Sequence, residues 1–331
     1  MRAFIIEKYK GTLREAEVPE PGVGEHDVLI DIAAAGANQL DEKIRTGQLK
    51  AFLPYKLPLV LGHDVAGTVI GVGAGVQGFA RGDRVYARPR DHRIGGFAQR
   101  IAVDEADVAL APKSIDEAQA ASLPLVALTA WQALVERGNL QPGHKVLIHA
   151  GAGGVGTIAI QLAKHLGAHV VTTASAKNAE FLRALGADQV IDYRTEDFAA
   201  ELSNFDLVLD SLGGENLSRS LTILRAGGKA IGITGPPTPE FAAESGLSPV
   251  VGLVTRALSS KIRRQAKRLG VKYEFLFMEP SGSQLRRITE LVDSGAIKPV
   301  VGKTFGFAQV PEALSAMVEG GLRGKVVITV P

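Results

Sequence analysis

"KVLIHAGAGGVGTIAIQLAKHLG", residues 145–167, decides the fold of this chain. An apolar run, KVLIH, leads directly into a glycine loop. The loop opens a segment whose apolar residues recur at helical spacing up to Gly167. Gly151, Gly153 and Gly156 form G-x-G-x-x-G between a strand and a helix, the context that gives an otherwise common pattern its meaning. Gly151 permits the tight turn, Gly153 lets the backbone approach a pyrophosphate, and Gly156 lets the helix lie close to the sheet. The free N–H groups of the helix start, around Gly154 and Val155, then face the phosphates. The plainer reading is a glycine-rich turn with no ligand, and the strand–helix grammar on either side argues against it.

The dinucleotide follows from the next strand. An NAD site needs a carboxylate ~20 residues on to bond the ribose 2′-OH. No Asp or Glu occurs from Arg137 to Ala179. Thr173 stands where the acid is expected, and Ser175 and Lys177 follow. A hydroxyl and an ammonium attract a 2′-phosphate that a carboxylate would repel. Tyr193, ending the third strand in IDYR, adds a phenolic donor with Arg194 beside it. Lys177 as a solvated helix start and Tyr193 as a packing residue are the competing readings; together with the missing acid, the set favours NADPH.

Working outward, HVVTTAS, DQVIDY, FDLVLDSLG, KAIGIT and YEFLFM read as strands alternating with helical stretches such as NAEFLRALG and SGSQLRRITELVDSG. That alternation implies a doubly wound parallel sheet. Residues 1–110 instead hold short Val- and Ile-rich runs punctuated by Gly, Pro and Asp, the grammar of a β-barrel-like domain. The last stretch, VVGKTFGFAQVPEALSAMVEGGLRGKVVITV, is strand–helix–strand without a glycine fingerprint. The α/β chain is therefore expected to divide into a β-rich domain, 1–124 plus 296–331, and a nucleotide domain, 125–295. In doubly wound sheets ligands lie beyond the C-terminal strand ends. Leu212 in DSLGG, and Gly232 and Thr234 in GITG, are expected to line the cofactor.

Composition bounds the remainder. The 331 residues are 46% apolar and 22% charged, with net charge +2, so nothing favours nucleic acid globally. There is no cysteine, which excludes disulfides, thiolate metal sites and a cysteine nucleophile, and suits a reducing, cytoplasmic setting. The charged opening MRAFIIEKYKGTLREAEVPEPG does not read as a secretory signal. No apolar run reaches the ~20 residues of a membrane span.

One further motif, LGHDVAG at 61–67, together with AAAGANQLDEKIRTG, GGFAQRIAV, LTAWQAL, AGAGGVG and the terminal GKVVI, resembles the medium-chain dehydrogenase/reductase superfamily. The similarity is greatest to its zinc-free quinone oxidoreductases and the related alkenal and enone reductases, and spans essentially the whole chain. It implies a GroES-like catalytic domain, a Rossmann domain, an active site between them and a homodimer. In the zinc alcohol dehydrogenases of the superfamily, the His of the triplet and two cysteines hold the metal. Here Asn38 stands near the first cysteine position and no cysteine exists, so His63–Asp64 falls short of three protein ligands. The expectation is no metal, and a turn whose His63 and Asp64 bond backbone or each other.

Without a Lewis acid, alcohol oxidation needs a substitute base. Hydride transfer to a quinone, or to the activated C=C of an enone or alkenal, needs only a hydrogen bond and a proton. The resemblance offers Asn38 as the amide donor to the substrate oxygen, Tyr55 as a wall with a hydroxyl tip, and Thr129 near the nicotinamide. Asp41 and Arg45 are expected to hold the loop. The alternatives are a metal-free alcohol or carbonyl dehydrogenase, or a non-catalytic NADPH-binding protein. Residues 246–272 carry apolar residues at helical spacing and six Lys or Arg from Arg256 to Arg268. They read as a helical excursion over the cofactor with a solvated basic face, or as a membrane-surface helix; stable membrane insertion is not expected.

Overall fold

The computed structural model describes residues 1–331 and divides into two compact units, Met1–Leu128 with Glu279–Pro331, and Thr129–Met278. The first unit is β-rich. Its main sheet runs Val301–Gly306, Lys325–Thr329, Asp27–Ala37, Asp64–Val72, Arg84–Ala87 and Val108–Leu110, with Arg100–Asp104 also pairing along Asp27–Ala37. Only Val301–Gly306 and Lys325–Thr329 pair in parallel. A smaller antiparallel sheet joins Arg14–Glu17, Arg2–Ile6 and Leu59–Val60.

The long strand Asp27–Ala37 serves two cores. Val28, Ile30 and Ile32 pack with Val65, Val69, Val85 and Ile101, as strand alternation requires. Ala35 and Ala37 pack with Phe4, Leu61, Phe97, Phe305 and Ile328. The short-strand grammar implied a β-barrel-like domain, and the GroES-like arrangement is the one the family resemblance implied.

The second unit is a six-stranded, wholly parallel sheet in the order Gln189–Asp192, His169–Ala174, Lys145–Ile148, Phe205–Asp210, Leu224–Gly232, Lys272–Phe275. Taken from Lys145–Ile148 as first, the order is 3-2-1-4-5-6, the doubly wound Rossmann topology, whose switch point lies beside the first strand. The last strand is shorter than the apolar run YEFLFM: it stops at Phe275, and Phe275 and Phe277 both pack on Phe241, with ring centroids 5.0 and 6.1 Å apart.

The expected boundary at 295 is too late. Helix Gly282–Asp293 belongs to the first unit because its bonds lie there. Tyr86 Oη donates to Leu285 O at 2.7 Å, Thr289 Oγ1 to Leu110 O at 3.0 Å, and Ser114 Oγ to Asp293 Oδ1 at 2.8 Å. Gly282 lies against the backbone of Val108 so closely that no side chain would fit. Helical periodicity gave no hint of which sheet this helix would cover.

Candidate active site: a dinucleotide edge and a buried Lys–Asp–Asn cluster

Each unit holds its own candidate residues. In the nucleotide unit, helix Gly154–His165 begins immediately after the first strand, with Gly153 as a cap that has no side chain to satisfy the first N–H groups. The three glycines of the loop differ in what demands them. A Cβ on Gly151 would overlap Thr172 Oγ1, and one on Gly156 would lie 2.5 Å from Ala150 O, so both are required by the protein's own packing. At Gly153 the only neighbour is Ala150 O at 3.3 Å, and its φ of −78° suits any residue. The fold itself makes a weak demand for glycine there, which fits a position kept bare for an approaching pyrophosphate.

The end of the second strand holds no carboxylate. Thr173 is buried, and its hydroxyl meets His149 Nδ1 at 3.0 Å and accepts from Ala150 N at 3.2 Å. His149 Nε2 meets Ser220 Oγ at 2.8 Å, so this imidazole ties the first strand to the second and to helix Gly214–Ser220. Burial depresses its pKa to about 4. Ser175, expected at the 2′-phosphate, is instead turned inward: it is buried, and its Oγ accepts from Asn178 Nδ2 at 3.4 Å. Lys177 and Tyr193 are exposed, with the Arg194 guanidinium 5.8 Å from the Tyr193 ring centroid. Among the further strand-end positions, Leu212 and Thr234 are exposed, whereas Gly232 is buried under Tyr273. Thr129 is buried in helix Pro124–Trp131. Asp210, ending the fourth strand, accepts at Oδ1 from the Leu212 and Gly213 N–H groups. Its Oδ2 has no partner, and burial raises its pKa.

In the β-rich unit, the expected loop residues form a closed polar cluster. Lys325 is buried, and its ammonium donates to Ala37 O at 2.8 Å, Asn38 Oδ1 at 2.5 Å and Asp64 Oδ2 at 3.0 Å. Three protons meet three acceptors. Asp64 also accepts from Asn38 Nδ2 at 2.9 Å and from Leu125 N at 2.7 Å. Gly36 makes room for this: a Cβ there would stand 2.5 Å from Ala121 O and 2.9 Å from Asp64 Oδ2. Asn38 spends its second amide proton on Gly36 O at 3.2 Å. Its orientation is unambiguous, because an ammonium can only face the amide oxygen and a carboxylate only the amide nitrogen. The expectation that Asn38 donates to a substrate oxygen is therefore corrected: both of its N–H groups are committed inside the unit.

His63 and Asp64 do not bond each other. His63 Nδ1 meets Asp41 Oδ1 at 2.6 Å, and Asp41 also accepts from Asn38 N at 2.8 Å and Gly62 N at 3.1 Å. Arg45 is held by Glu42 and Gly11 O. His63 Nε2 has no partner, and the Tyr55 hydroxyl has only the His92 backbone beside its oxygen, so its proton meets no acceptor. Tyr9 pins the Tyr55 backbone on both sides, its hydroxyl accepting from Tyr55 N at 2.9 Å and donating to Tyr55 O at 3.3 Å. Burial, with the charge of Asp91 behind it, pushes the Tyr55 phenol well above its ordinary pKa. The nearby His92 backbone and Arg88 oppose the shift but do not overcome it. The group is a hydrogen-bond donor at every physiological pH.

A zinc ion does not fit these residues. No group of three His, Cys, Asp or Glu side chains is placed to hold one, Asp64 is already neutralised by an ammonium, and His63 would be a lone ligand. Sequence reading passed over Lys325, and its position gave little signal: Lys145 and Lys272 also open strands and are exposed, whereas Lys325 is buried on Asp64.

Comparison with known proteins agrees with this architecture. The family description "Alcohol dehydrogenase GroES-like domain" matches residues 24–113 and "Zinc-binding dehydrogenase" matches residues 185–328. The chain belongs to the medium-chain dehydrogenase/reductase superfamily, and it is an oxidoreductase. It is 37% identical over 328 residues to a mitochondrial NAD(P)H oxidoreductase, RTN4IP1, of Danio rerio, covering 92% of this chain and 84% of the relative. It is 34% identical to a chloroplastic NADPH-dependent alkenal/one oxidoreductase of Arabidopsis thaliana, covering 99% of this chain and 79% of the relative. Among solved structures, the quinone oxidoreductase from Coxiella burnetii is 30% identical with a TM-score of 0.85, covering 100% and 99% of the two chains. Mycobacterial Rv1454c complexed with NADPH is 29% identical with a TM-score of 0.83, covering 99% of each.

Proposed function

We propose that this protein is an NADPH-dependent, zinc-independent reductase that transfers hydride to a quinone or to the activated C=C bond of an enone or alkenal. The observation that carries the reading is the Lys325 ammonium seated on Asp64 and Asn38. Of the Gly-His-Asp triplet, Asp64 is held by a side-chain cation and His63 has no second or third ligand beside it, so the donor set supports no Lewis acid for an alcohol. A reaction that needs only a positioned acceptor and one hydrogen bond remains.

When bound, NADPH supplies the hydride. The bare Gly153 and the N-terminus of helix Gly154–His165 hold its pyrophosphate. Lys177, Tyr193 and Arg194, beyond an acid-free strand end, hold its 2′-phosphate. Tyr55 takes the oxyanion role that Asn38 cannot fill. Its hydroxyl proton meets no acceptor, its backbone is fixed by Tyr9, and it stays protonated, so it steadies the developing enolate or quinol oxygen as a donor. Solvent supplies the proton at the α-carbon. The relatives' names, alkenal/one and quinone oxidoreductase, support the acceptor class. The open edge strand Lys272–Phe275 offers a second copy a strand to pair with in a homodimer, and the absence of cysteine suits a reducing, cytoplasmic setting.

The test is isotopic. Deuterium at C4 of NADPH should appear on the β-carbon of an enone product, and deuterated water should label the α-carbon. Solvent deuterium at the β-carbon would refute direct transfer. For quinones the hydride reaches either carbon or oxygen, so only enones are diagnostic.

A further inference from the structure

Helix Pro249–Leu258 is packed inside out. Its inward position is taken by Thr255, fully buried, with its hydroxyl turned back to Gly252 O at 2.9 Å. Its large apolar residues face outward: Val250 is 72% exposed, Leu253 69%, Leu258 54% and Val254 47%. Spaced by three, four and eight residues from Val250, they form one stripe along the helix. Surface apolar residues scattered singly need no explanation, whereas a contiguous ridge does.

The next helix, Ser260–Leu269, supplies charge of one sign. Ile262 and Ala266 anchor it, while Lys261, Arg264, Lys267 and Arg268 are exposed. Arg256, Lys261, Lys267 and Arg268 have no carboxylate partner, and Arg263 alone reaches one, Glu240 at 3.6 Å. Residues 246–272 hold seven Lys or Arg and no Asp or Glu, in a chain whose net charge is only +2, so the remaining residues carry net −5. Six of these seven cations lie on the helix pair that presents the apolar ridge.

From this juxtaposition we propose that the helix pair Pro249–Leu269 docks the protein on an anionic lipid bilayer. The ridge of Val250, Leu253, Val254 and Leu258 enters the interface, and Arg256, Lys261, Arg264, Lys267 and Arg268 meet the headgroup phosphates. An outward apolar ridge beside a cationic face is the pattern of helices that lie in the plane of a membrane. Lipid charge attracts such a face within a Debye length. The acidic remainder of the chain orients the approach, since it is repelled by the same surface. Nucleic acid suits the face poorly. Residues 246–272 contain no aromatic on which a base could stack, and the ridge would be left in water. A second copy would set cation against cation. The inference is independent of the substrate reading.

Co-sedimentation with unilamellar vesicles tests it, using the full chain, with thermal melts as a folding control. The wild type should bind phosphatidylglycerol-containing vesicles at low salt, bind pure phosphatidylcholine weakly, and be released by high salt. Leu253→Glu/Val254→Glu and, separately, Lys261→Glu/Arg264→Glu/Lys267→Glu/Arg268→Glu should each weaken vesicle binding by more than ~tenfold. Failure of the wild type to sediment with the anionic vesicles, or sedimentation of either variant equal to that of the wild type, would overturn the proposal. So would tight binding of a single-stranded oligonucleotide that survives Leu253→Glu, or a dimer without vesicle binding that Leu253→Glu converts to monomer.

Discussion

Lys325 opens the strand KVVIT, and its buried ammonium is stable only because Ala37 O, Asn38 Oδ1 and Asp64 Oδ2 receive its protons. Removing one partner of such a cluster leaves an uncompensated buried charge, which typically costs ~3–5 kcal/mol. Lys325→Met should lower stability by about that amount in urea denaturation, and adding Asp64→Asn should recover part of it. Strict additivity of the two would mean the pair is not coupled. Tyr55 should behave oppositely. Its hydroxyl proton has no acceptor to lose, with only the His92 backbone beside the oxygen, so Tyr55→Phe should change the melting temperature little while kcat for an enone falls. A single oxyanion donor is worth ~10²–10³ in rate, and a smaller loss is expected where water can substitute. A drop in stability with full activity would instead make Tyr55 a packing residue. At this scale the sequence was partly legible. Asn38 was found by type and position, but that its amide is fully committed depends on Asp64, 26 residues away, and on Lys325, 287 residues away, which holds the amide oxygen. Pairing across that separation leaves no local pattern to read.

At the scale of elements, the strand–loop–helix at 145–167 predicts two different outcomes for two glycines. Gly156→Ala forces a Cβ to within 2.5 Å of a carbonyl oxygen and should cost stability, seen as a lower melting temperature. Gly153→Ala meets only a 3.3 Å neighbour and should fold normally but weaken NADPH binding in a fluorescence titration. If both variants melt alike and bind alike, the pyrophosphate reading of Gly153 is lost. The same element carries a pH effect through His149. Its folded pKa is about 4 against an ordinary 6.5, so the unfolded chain takes up a proton first as pH falls. Stability should be full above about pH 6.5 and decline toward pH 4, by on the order of 3 kcal/mol from this residue. His149→Gln should flatten that limb in pH-dependent melts, and an unchanged slope would assign the acid sensitivity elsewhere. The glycine fingerprint was legible because all of its constraints are local. The inward turn of Ser175 was not, since it depends on whether Asn178 offers its amide.

At the scale of the whole molecule, the two-unit organisation was visible as a change of grammar, from short punctuated strands to strand–helix alternation. Helix Gly282–Asp293 was assigned to the wrong unit because amphipathic periodicity marks a buried face without naming its partner. Cofactor choice is a property of the same scale, since it needs the ends of two strands together. The acid-free edge with Lys177, Tyr193 and Arg194 predicts at least ~tenfold tighter binding of NADPH than NADH, about 1.4 kcal/mol, and a reduced preference in Lys177→Ala. Equal affinities in a titration of both would contradict it.

The central claim is that a side-chain cation has taken the place of metal chemistry, leaving reduction of electron-poor acceptors as the activity. The most direct measurement follows the nicotinamide absorbance of the purified chain against a panel of quinones, enones and alkenals with NADPH, and simple alcohols with NADP⁺, each with and without a chelator. The account predicts NADPH oxidation by at least one quinone, enone or alkenal, unaffected by the chelator, and no turnover of alcohols. Chelator-sensitive oxidation of simple alcohols, with quinones, enones and alkenals untouched, would contradict it.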